Sequence, residues 1–262
     1  MIMRHTPLYL ATLLFVIGSP ISQANDTQPD QKDGVTIGLA TLNAPRYSGS
    51  NERQWDVLPV IQARQGAFFF DTAKGAGYDL QFGQFYLEHT LGYAAGRTDK
   101  NTSFQAGSDK LRGMGKIRGA LNTALTLGFE FTDQLSLEAK AIAPLTDSQG
   151  MQYQTSVNAT LFQDESDTLG AQGSLLFGDA RYNNLFYGVN TSQSANSGYR
   201  AYQTNGGLYG QSVSVFWNHR FTPHWASTLS GSYTHLNDKV ADSPIVFQPD
   251  QFTGVMAVTY AF

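Results

Sequence analysis

The chain has 262 residues, no cysteine, 15% charged residues, 13% aromatic residues and a net charge of −4. Without cysteine there is no disulfide framework, cysteine-ligated zinc or cysteine nucleophile. The acidic balance argues against a nucleic-acid-binding protein, which would usually be basic, and the 41% of hydrophobic residues argue against a disordered chain.

Residues 1–24 are predicted to be a secretory signal peptide. A short basic start leads into an apolar run, and Ser22-Gln23-Ala24 fits the small-x-small cleavage rule. The run is shorter than the about 20 residues that a transmembrane helix needs. We expect cleavage after Ala24, followed by a flexible periplasmic arm over residues 25–33.

From Gly34 onward, apolar residues alternate with polar or small ones, which is typical of β-strands because successive side chains point to opposite faces. The segment 120–131 is an example, with Leu121, Leu125 and Leu127 on one face and Asn122 on the other. No helix is predicted beyond the signal peptide. The pattern predicts twelve strands, over roughly 35–43, 55–64, 67–73, 75–82, 85–95, 116–131, 134–144, 151–162, 168–177, 210–221, 225–236 and 251–262.

The predicted connections are sorted by length. Tight turns follow the even-numbered strands, and longer polar loops follow the odd-numbered ones, so that all long loops lie at one end. Tight periplasmic turns, long outer loops and an even strand number are the signature of a transmembrane barrel. Residues 34–262 are therefore predicted to form an all-β, antiparallel, up-and-down β-barrel in the outer membrane, with twelve strands, and with ten or fourteen as alternatives.

The last predicted strand ends on an aromatic residue. Its alternate residues share one face, and the chain ends in Tyr260-Ala-Phe262. This ending resembles the recognition signal of outer-membrane barrels. The residues assigned to this assembly signal are Gly254, Val258, Tyr260 and Phe262.

The alternation also predicts a set of charged residues that face the lumen. This set consists of Glu88, Lys116, Arg118, Glu130, Glu138, Lys140 and Arg220. The set could form a charged pore or binding site, or an ion-paired, hydrated filling that fixes the barrel shape. We favour the filling, because such groups can matter for folding alone.

Motifs of an active site are absent from the sequence. It contains no Gly-x-Ser-x-Gly elbow, no His-Glu-x-x-His and no phosphate loop. We therefore expect no enzymatic activity, no catalytic residue, no cofactor and no bound metal. The basic segment 110–118 could contact lipopolysaccharide or pair with charges in the lumen, and the sequence leaves both readings open.

Several segments in order along the chain resemble one family. They are Pro45-Arg-Tyr-Ser-Gly-Ser50, Leu58-Pro59, Gly77-Tyr78, Leu111-Arg-Gly-Met-Gly115, Phe177-Gly-Asp-Ala-Arg-Tyr182, Tyr187-Gly-Val189, Ser197-Gly-Tyr199, Tyr202, Gly206-Gly207, Asp242-Ser-Pro-Ile-Val246 and Tyr260-Ala-Phe262. Together they resemble the MipA/OmpV family of outer-membrane proteins, the MltA-interacting proteins.

The resemblance implies a non-enzymatic barrel in the cell outer membrane. Members are described as scaffolds that link a lytic transglycosylase to a bifunctional penicillin-binding protein in murein synthesis, and no catalytic or binding residues carry over. The expected partners are these two enzymes, membrane lipid and lipopolysaccharide, and no nucleic acid. A small-solute channel and a surface adhesin that uses loops 96–115 and 178–209 are the alternatives.

Overall fold

The protein is a closed barrel of twelve antiparallel strands. The computed structural model describes residues 33–103 and 105–262, so the predicted signal peptide and residues 25–32 of the arm lie outside the described residues. Strands follow one another around the ring, and β1 pairs with β12 to close it. The strands are β1 Gly34–Pro45, β2 Arg53–Gln65, β3 Phe68–Asp71, β4 Gly75–Phe82, β5 Phe85–Ala94, β6 Ala120–Thr132, β7 Leu135–Pro144, β8 Gln152–Gln163, β9 Asp167–Gly178, β10 Gly207–Arg220, β11 Trp225–Leu236 and β12 Asp250–Ala261. The predicted fold is confirmed.

The barrel wall carries its apolar side chains on the outside. In β6, Leu121 and Leu127 are each 52% exposed, whereas Asn122, Ala124 and Thr126 on the opposite face are buried. A closed sheet satisfies its backbone groups internally, and an apolar outer band matches the hydrocarbon of a bilayer. The wall is therefore that of a transmembrane barrel.

The connections are sorted between the two ends of the barrel as the sequence predicts. Tight turns follow β2, β4, β6, β8 and β10, at the end where β1 begins and β12 stops; we call this the turn end. The long connections lie at the opposite, outer end. They follow odd-numbered strands and occupy residues 46–52, 95–119, 145–151, 179–206 and 237–249.

The outer loops contain short helices, so the prediction of no helix beyond the signal peptide is wrong. Each of the two longer helices starts at a side-chain cap: the Asp179 carboxylate accepts from the Tyr182 N–H at 2.7 Å, and Asn190 forms a capping box with Gln193. Both are too short and too polar to show a helical period. None of the helices in the described part of the chain is long and apolar enough to cross a membrane. The helices are α1 Ala180–Tyr187, α2 Thr191–Ser197 and α3 Asp238–Ala241, with a 3₁₀ turn at Asp109–Leu111.

The outer loops fold over the mouth of the barrel and hold its buried core. We call the described residues of these five loops the cap. Loops spaced around the ring meet there: Arg97, in the loop after β5, donates to the Phe186 carbonyl in α1 at 2.6 Å, and the Tyr47 hydroxyl donates to the Ile245 carbonyl at 3.0 Å. The core residues form two clusters: Leu176, Tyr182, Tyr187, Tyr209, Leu236 and Val240, and Tyr47, Leu111, Met114, Val189 and Ile245.

One side of the barrel wall is lower than the rest. The four-residue strand β3 pairs only with the last four residues of β2, so the outer part of β2 has no strand beside it on that side. Thr72 covers the start of this free edge, because its hydroxyl donates to the Pro59 carbonyl at 3.2 Å and accepts from the Ile61 N–H at 3.3 Å. Beyond it, the backbone groups of Val57 and Trp55 face the gap.

We predict that Ile245→Ala opens the cap and leaves the barrel intact. Ile245 is completely buried in the cap, and truncating a buried Ile costs about 2–5 kcal/mol. Limited proteolysis of the refolded protein measures loop opening, and heat-modifiable gel mobility measures the barrel. The control is Leu229→Ala on the lipid-facing wall, where Leu229 is 53% exposed, and it should leave loop cleavage unchanged. Equal cleavage of the wild type and Ile245→Ala would contradict a packed cap.

Candidate functional site

Ionisable side chains gather on one half of the lumen wall. Arg64 grips Asp79 with both terminal nitrogens, at 3.0 and 2.5 Å, and Lys74 pairs with Glu88. Three cations and three anions make up this group, which we call the lumen charge cluster: Arg64, Lys74, Asp79, Glu88, Glu138 and Lys140. It lies between β2 and β7.

Strand register brings carboxylates of the lumen charge cluster close together, so that cations are needed to offset their repulsion. Asp79 on β4 lies directly opposite Glu88 on β5, and like charges at directly opposed positions destabilise a sheet. Glu88 in turn shares a row with Lys140, two strands away, through Thr126. Arg64 and Lys74 bind these two carboxylates from the other side, so that Asp79 and Glu88 each have a cation of their own.

A glycine allows one tyrosine to lie across the lumen wall. Tyr86, Gly128 and Glu138 share one row on β5, β6 and β7. The Tyr86 ring passes over Gly128, where a Cβ atom would lie 2.0 Å from the ring. Its hydroxyl donates to the Glu138 carboxylate at 2.6 Å. Any side chain at residue 128 would therefore displace this contact.

The other half of the lumen wall carries neutral polar groups. On β8 and β9, Gln154 donates to Ser156 at 2.7 Å and to Ser174 at 3.2 Å, and Gln172 donates to Asn158 at 2.6 Å. Hydroxyls continue this pattern on β10 and β11. The described lumen is therefore divided into a charged side and a side of amides and hydroxyls.

The structure brings some of the predicted lumen charges together. Glu88, Glu138 and Lys140 lie in the lumen charge cluster. Glu130 faces inward near the turn end and accepts from the Gln81 amide at 3.1 Å. Arg220 lies at the turn end, exposed to solvent, and donates to the Glu165 carbonyl.

Lys116 and Arg118 lie elsewhere, because β6 begins at Ala120 and not at residue 116. Between them, Ile117 is buried in the cap and pairs with the backbone of Arg97, with N···O distances of 3.0 and 2.8 Å. Pairing at Ile117 turns the two cations outward, and both are exposed on the cap. Their place on the cap surface leaves contact with lipopolysaccharide as a proposal.

Sequence reasoning missed Arg64, Lys74 and Asp79. Arg64 and Asp79 occupy inward positions of β2 and β4, and alternation in those two strands carries the signal for both. Lys74 lies in the short turn between β3 and β4, where no alternation applies, so only its contact with Glu88 reveals it.

The residues of the predicted assembly signal lie on the outward face of β12 and just beyond it. Tyr260 packs at the turn end against Trp225 and Phe262, with ring centroids 5.1 and 5.0 Å apart. Phe262 itself is 72% exposed. Gly254 and Val258 share the face of Tyr260. The role of these residues in assembly stays a prediction.

Two Asp–His pairs lie on the outer wall. His219 contacts Asp167 at 2.8 Å, and His235 contacts Asp250 at 2.7 Å. The same carboxylate oxygens also accept from an indole and a phenol, those of Trp217 and Tyr233. Within residues 33–103 and 105–262, no group of three or more acidic or histidine side chains could hold a metal ion.

We predict that Glu88→Gln destabilises the barrel by about 3–5 kcal/mol, because it leaves Lys74 without the carboxylate that it binds. Urea unfolding in lipid vesicles measures the change. Asp133→Asn in an exposed tight turn is the control and should change stability by no more than about 0.5 kcal/mol. A Lys74→Met/Glu88→Leu double variant should recover most of the loss. Equal unfolding midpoints for Glu88→Gln and Asp133→Asn would show that the pairs carry no stability.

The solved structures that resemble this chain include two porins and the translocator domain of an autotransporter. The KdgM porin has a TM-score of 0.44 at 11% identity and covers 87% of this chain and 99% of its own. The NanC porin has a TM-score of 0.46 at 10% identity, with coverage of 85% and 98%. The translocator domain of the autotransporter NalP from Neisseria meningitidis has a TM-score of 0.47 at 12% identity, with coverage of 89% and 90%.

Comparison with proteins of related sequence points to one family. The MltA-interacting protein of Escherichia coli (strain K12) is 33% identical over 82 residues, and its counterpart in Shigella flexneri matches equally. These matches cover 30% of this chain, and the chain spans 32% of the length of the relatives. The family model described as MltA-interacting protein MipA matches residues 37–262, nearly the whole barrel. The chain therefore belongs to the MltA-interacting protein MipA family.

Proposed function

We propose that this protein is a non-enzymatic barrel of the outer membrane that docks a lytic transglycosylase of murein metabolism at its periplasmic end. The observation that carries the proposal is the cap, whose loops meet over the outer mouth and bury their own core. Membership in the MipA family and the name of the relatives, MltA-interacting protein, support the choice of partner.

The cap and the lumen charge cluster argue against free passage through the barrel. Loops that follow β1, β5, β9 and β11 meet over the mouth. Below them, Arg64 and Lys74 bind carboxylates across the wall. A barrel that is capped in this way offers its surfaces for function, and the turn end is the surface that faces the periplasm in barrels of this type.

The turn end carries an acidic rim. Asp133, Asp164 and Glu165 are exposed in tight turns, and Arg220 is an exposed cation beside them. A rim of this charge fits a basic patch on a partner. A standard stable interface needs about 800 Å² per partner, more than tight turns supply, so the proposal adds the predicted arm to the docking surface.

The proposal predicts that charge reversal on the acidic rim weakens partner binding. Asp133→Lys/Glu165→Lys should reduce the recovery of a lytic transglycosylase from detergent extracts at least tenfold. Asp164 is left in place, because its carboxylate caps its own turn by accepting from the Ser166 and Asp167 N–H groups at 2.9 and 2.8 Å.

The matched control makes the same charge change on the cap. Asp238→Lys/Asp242→Lys lies at the outer end and should leave recovery unchanged. Failure of the wild-type protein to retain the transglycosylase, or equal loss in both double variants, would refute docking at the turn end.

A small-solute channel is the second candidate, and the divided lumen wall favours it. Amides and hydroxyls on one side and ion pairs on the other would suit a small polar solute. Planar-bilayer recordings separate the two functions. Conductance by the wild-type protein, or conductance that appears after cap opening by Ile245→Ala, supports the channel, whereas silence of both proteins supports the docking barrel.

A further inference from the structure

Arg97 is a buried cation at the centre of the cap. Its backbone pairs with Ile117, and its side chain is only 3% exposed. The side chain reaches from the loop after β5 to the end of α1, where Nη1 donates to the Phe186 carbonyl at 2.6 Å. Tyr47, from the loop after β1, places its ring centroid 5.7 Å from the guanidinium carbon.

These contacts leave part of the guanidinium without a hydrogen-bond partner. Its Nε is buried without a hydrogen-bond partner, and the ion pairs among the described residues do not include Arg97. By contrast, Arg64 in the lumen grips a carboxylate with both terminal nitrogens. A guanidinium carries five N–H donors in a fork that matches a carboxylate or a phosphate.

The group stays charged in spite of its burial. Desolvation lowers the pKa of Arg97 to about 10, so the side chain is cationic at neutral pH. A buried charge without a counter-charge costs several kcal/mol. A neutral carbonyl and one aromatic face offset part of this cost, and an anion would offset the rest.

The hydroxyls of Tyr187 and Ser48 can complete an anion site, because Tyr187 directly follows Phe186, the residue whose carbonyl accepts from Arg97. The Tyr187 hydroxyl and the Ser48 hydroxyl lie 2.8 Å apart, so one hydrogen joins them and the other is free to donate. Tyr187 is close enough to interact electrostatically with Arg97. Burial raises the pKa of Tyr187 to about 12, so its phenol keeps the proton needed for this role at neutral pH.

We propose that the cap binds a small oxyanion, a carboxylate or a phosphate, between the Arg97 guanidinium and the hydroxyls of Ser48 and Tyr187. The anion joins three loops that start from β1, β5 and β9. The anion binds the closed cap and not the open one. Once its concentration exceeds the dissociation constant, the free energy of cap closure therefore becomes more favourable with the logarithm of the anion concentration. The site lies at the outer end and is separate from the docking surface at the turn end.

The test uses the refolded full barrel at pH 7 and constant ionic strength. Sodium phosphate and sodium acetate are titrated by calorimetry, and cleavage of the cap by protease is followed at each concentration. We expect saturable binding of at least one of the two anions and protection of the cap over the same range. Arg97→Gln should weaken binding at least tenfold. Arg97→Lys keeps the charge without the fork and should bind more weakly than wild type, and it decides the matter where Arg97→Gln does not fold.

Arg200 provides the matched control. Like Arg97, it has its guanidinium carbon 5.7 Å from the centroid of a tyrosine ring, here Tyr202, and it donates to a backbone carbonyl, here that of Asp242, at 2.7 Å. Unlike Arg97, the Arg200 side chain is exposed on the cap. Arg200→Gln should bind the anion as wild type does. Absence of saturable binding in wild type, or equal loss in the Arg97 and Arg200 variants, would overturn the site.

A second arm identifies the source of the anion. Protein refolded in phosphate-free buffer is saturated with lipopolysaccharide before the titration. Unchanged heats assign the site to a free small anion. A contrary result has two parts: lipopolysaccharide abolishes the heat of anion binding in wild type, and it still protects the cap of Arg97→Gln against protease. This result would mean that the lipid acts elsewhere, and it would overturn the site as the cause of protection.

Discussion

Every backbone amide in the hydrocarbon of a membrane needs a partner within the protein, because no water is there to replace it. This requirement closes the sheet on itself through the pairing of β1 with β12. Closure sends alternate side chains to lipid and to the lumen, so the large apolar residues go outward. The two buried apolar clusters of this protein lie at the outer end of the barrel, where the cap packs on itself and on the ends of β9, β10 and β11.

The same requirement decides what the sequence can predict. Along each strand, contact with lipid on one face imposes a two-residue alternation of apolar and polar side chains. Strands such as β4 and β11 begin and end where this alternation begins and ends. Outside the membrane, the alternation no longer predicts which way a side chain points. Lys116 and Arg118 continue the alternation of β6 into the cap, where pairing of Ile117 with Arg97 sets their direction, and short capped helices such as α2 leave no periodic trace.

The contacts of the candidate sites depend on which strands become neighbours. Glu88 is predictable as an inward residue, but its binding to Lys74 depends on a three-residue turn, and the opposition of Asp79 to Glu88 depends on register. Arg97 is one charged residue in a long polar loop, and only the convergence of loops from distant strands buries it. Local periodicity thus determines which charged residues face the lumen, whereas contacts between loops that are distant in sequence determine which charged residues are buried in the cap.

The low wall at β3 has a consequence for the surrounding bilayer. Four residues rise by roughly 13 Å along the strand, against an apolar band of about 25 Å in barrels of this kind. Exposed backbone groups at Val57 and Trp55 tolerate headgroups or water, but not acyl chains. A bilayer that keeps acyl chains away from this edge would therefore have to be thinner beside β3 than around the rest of the ring.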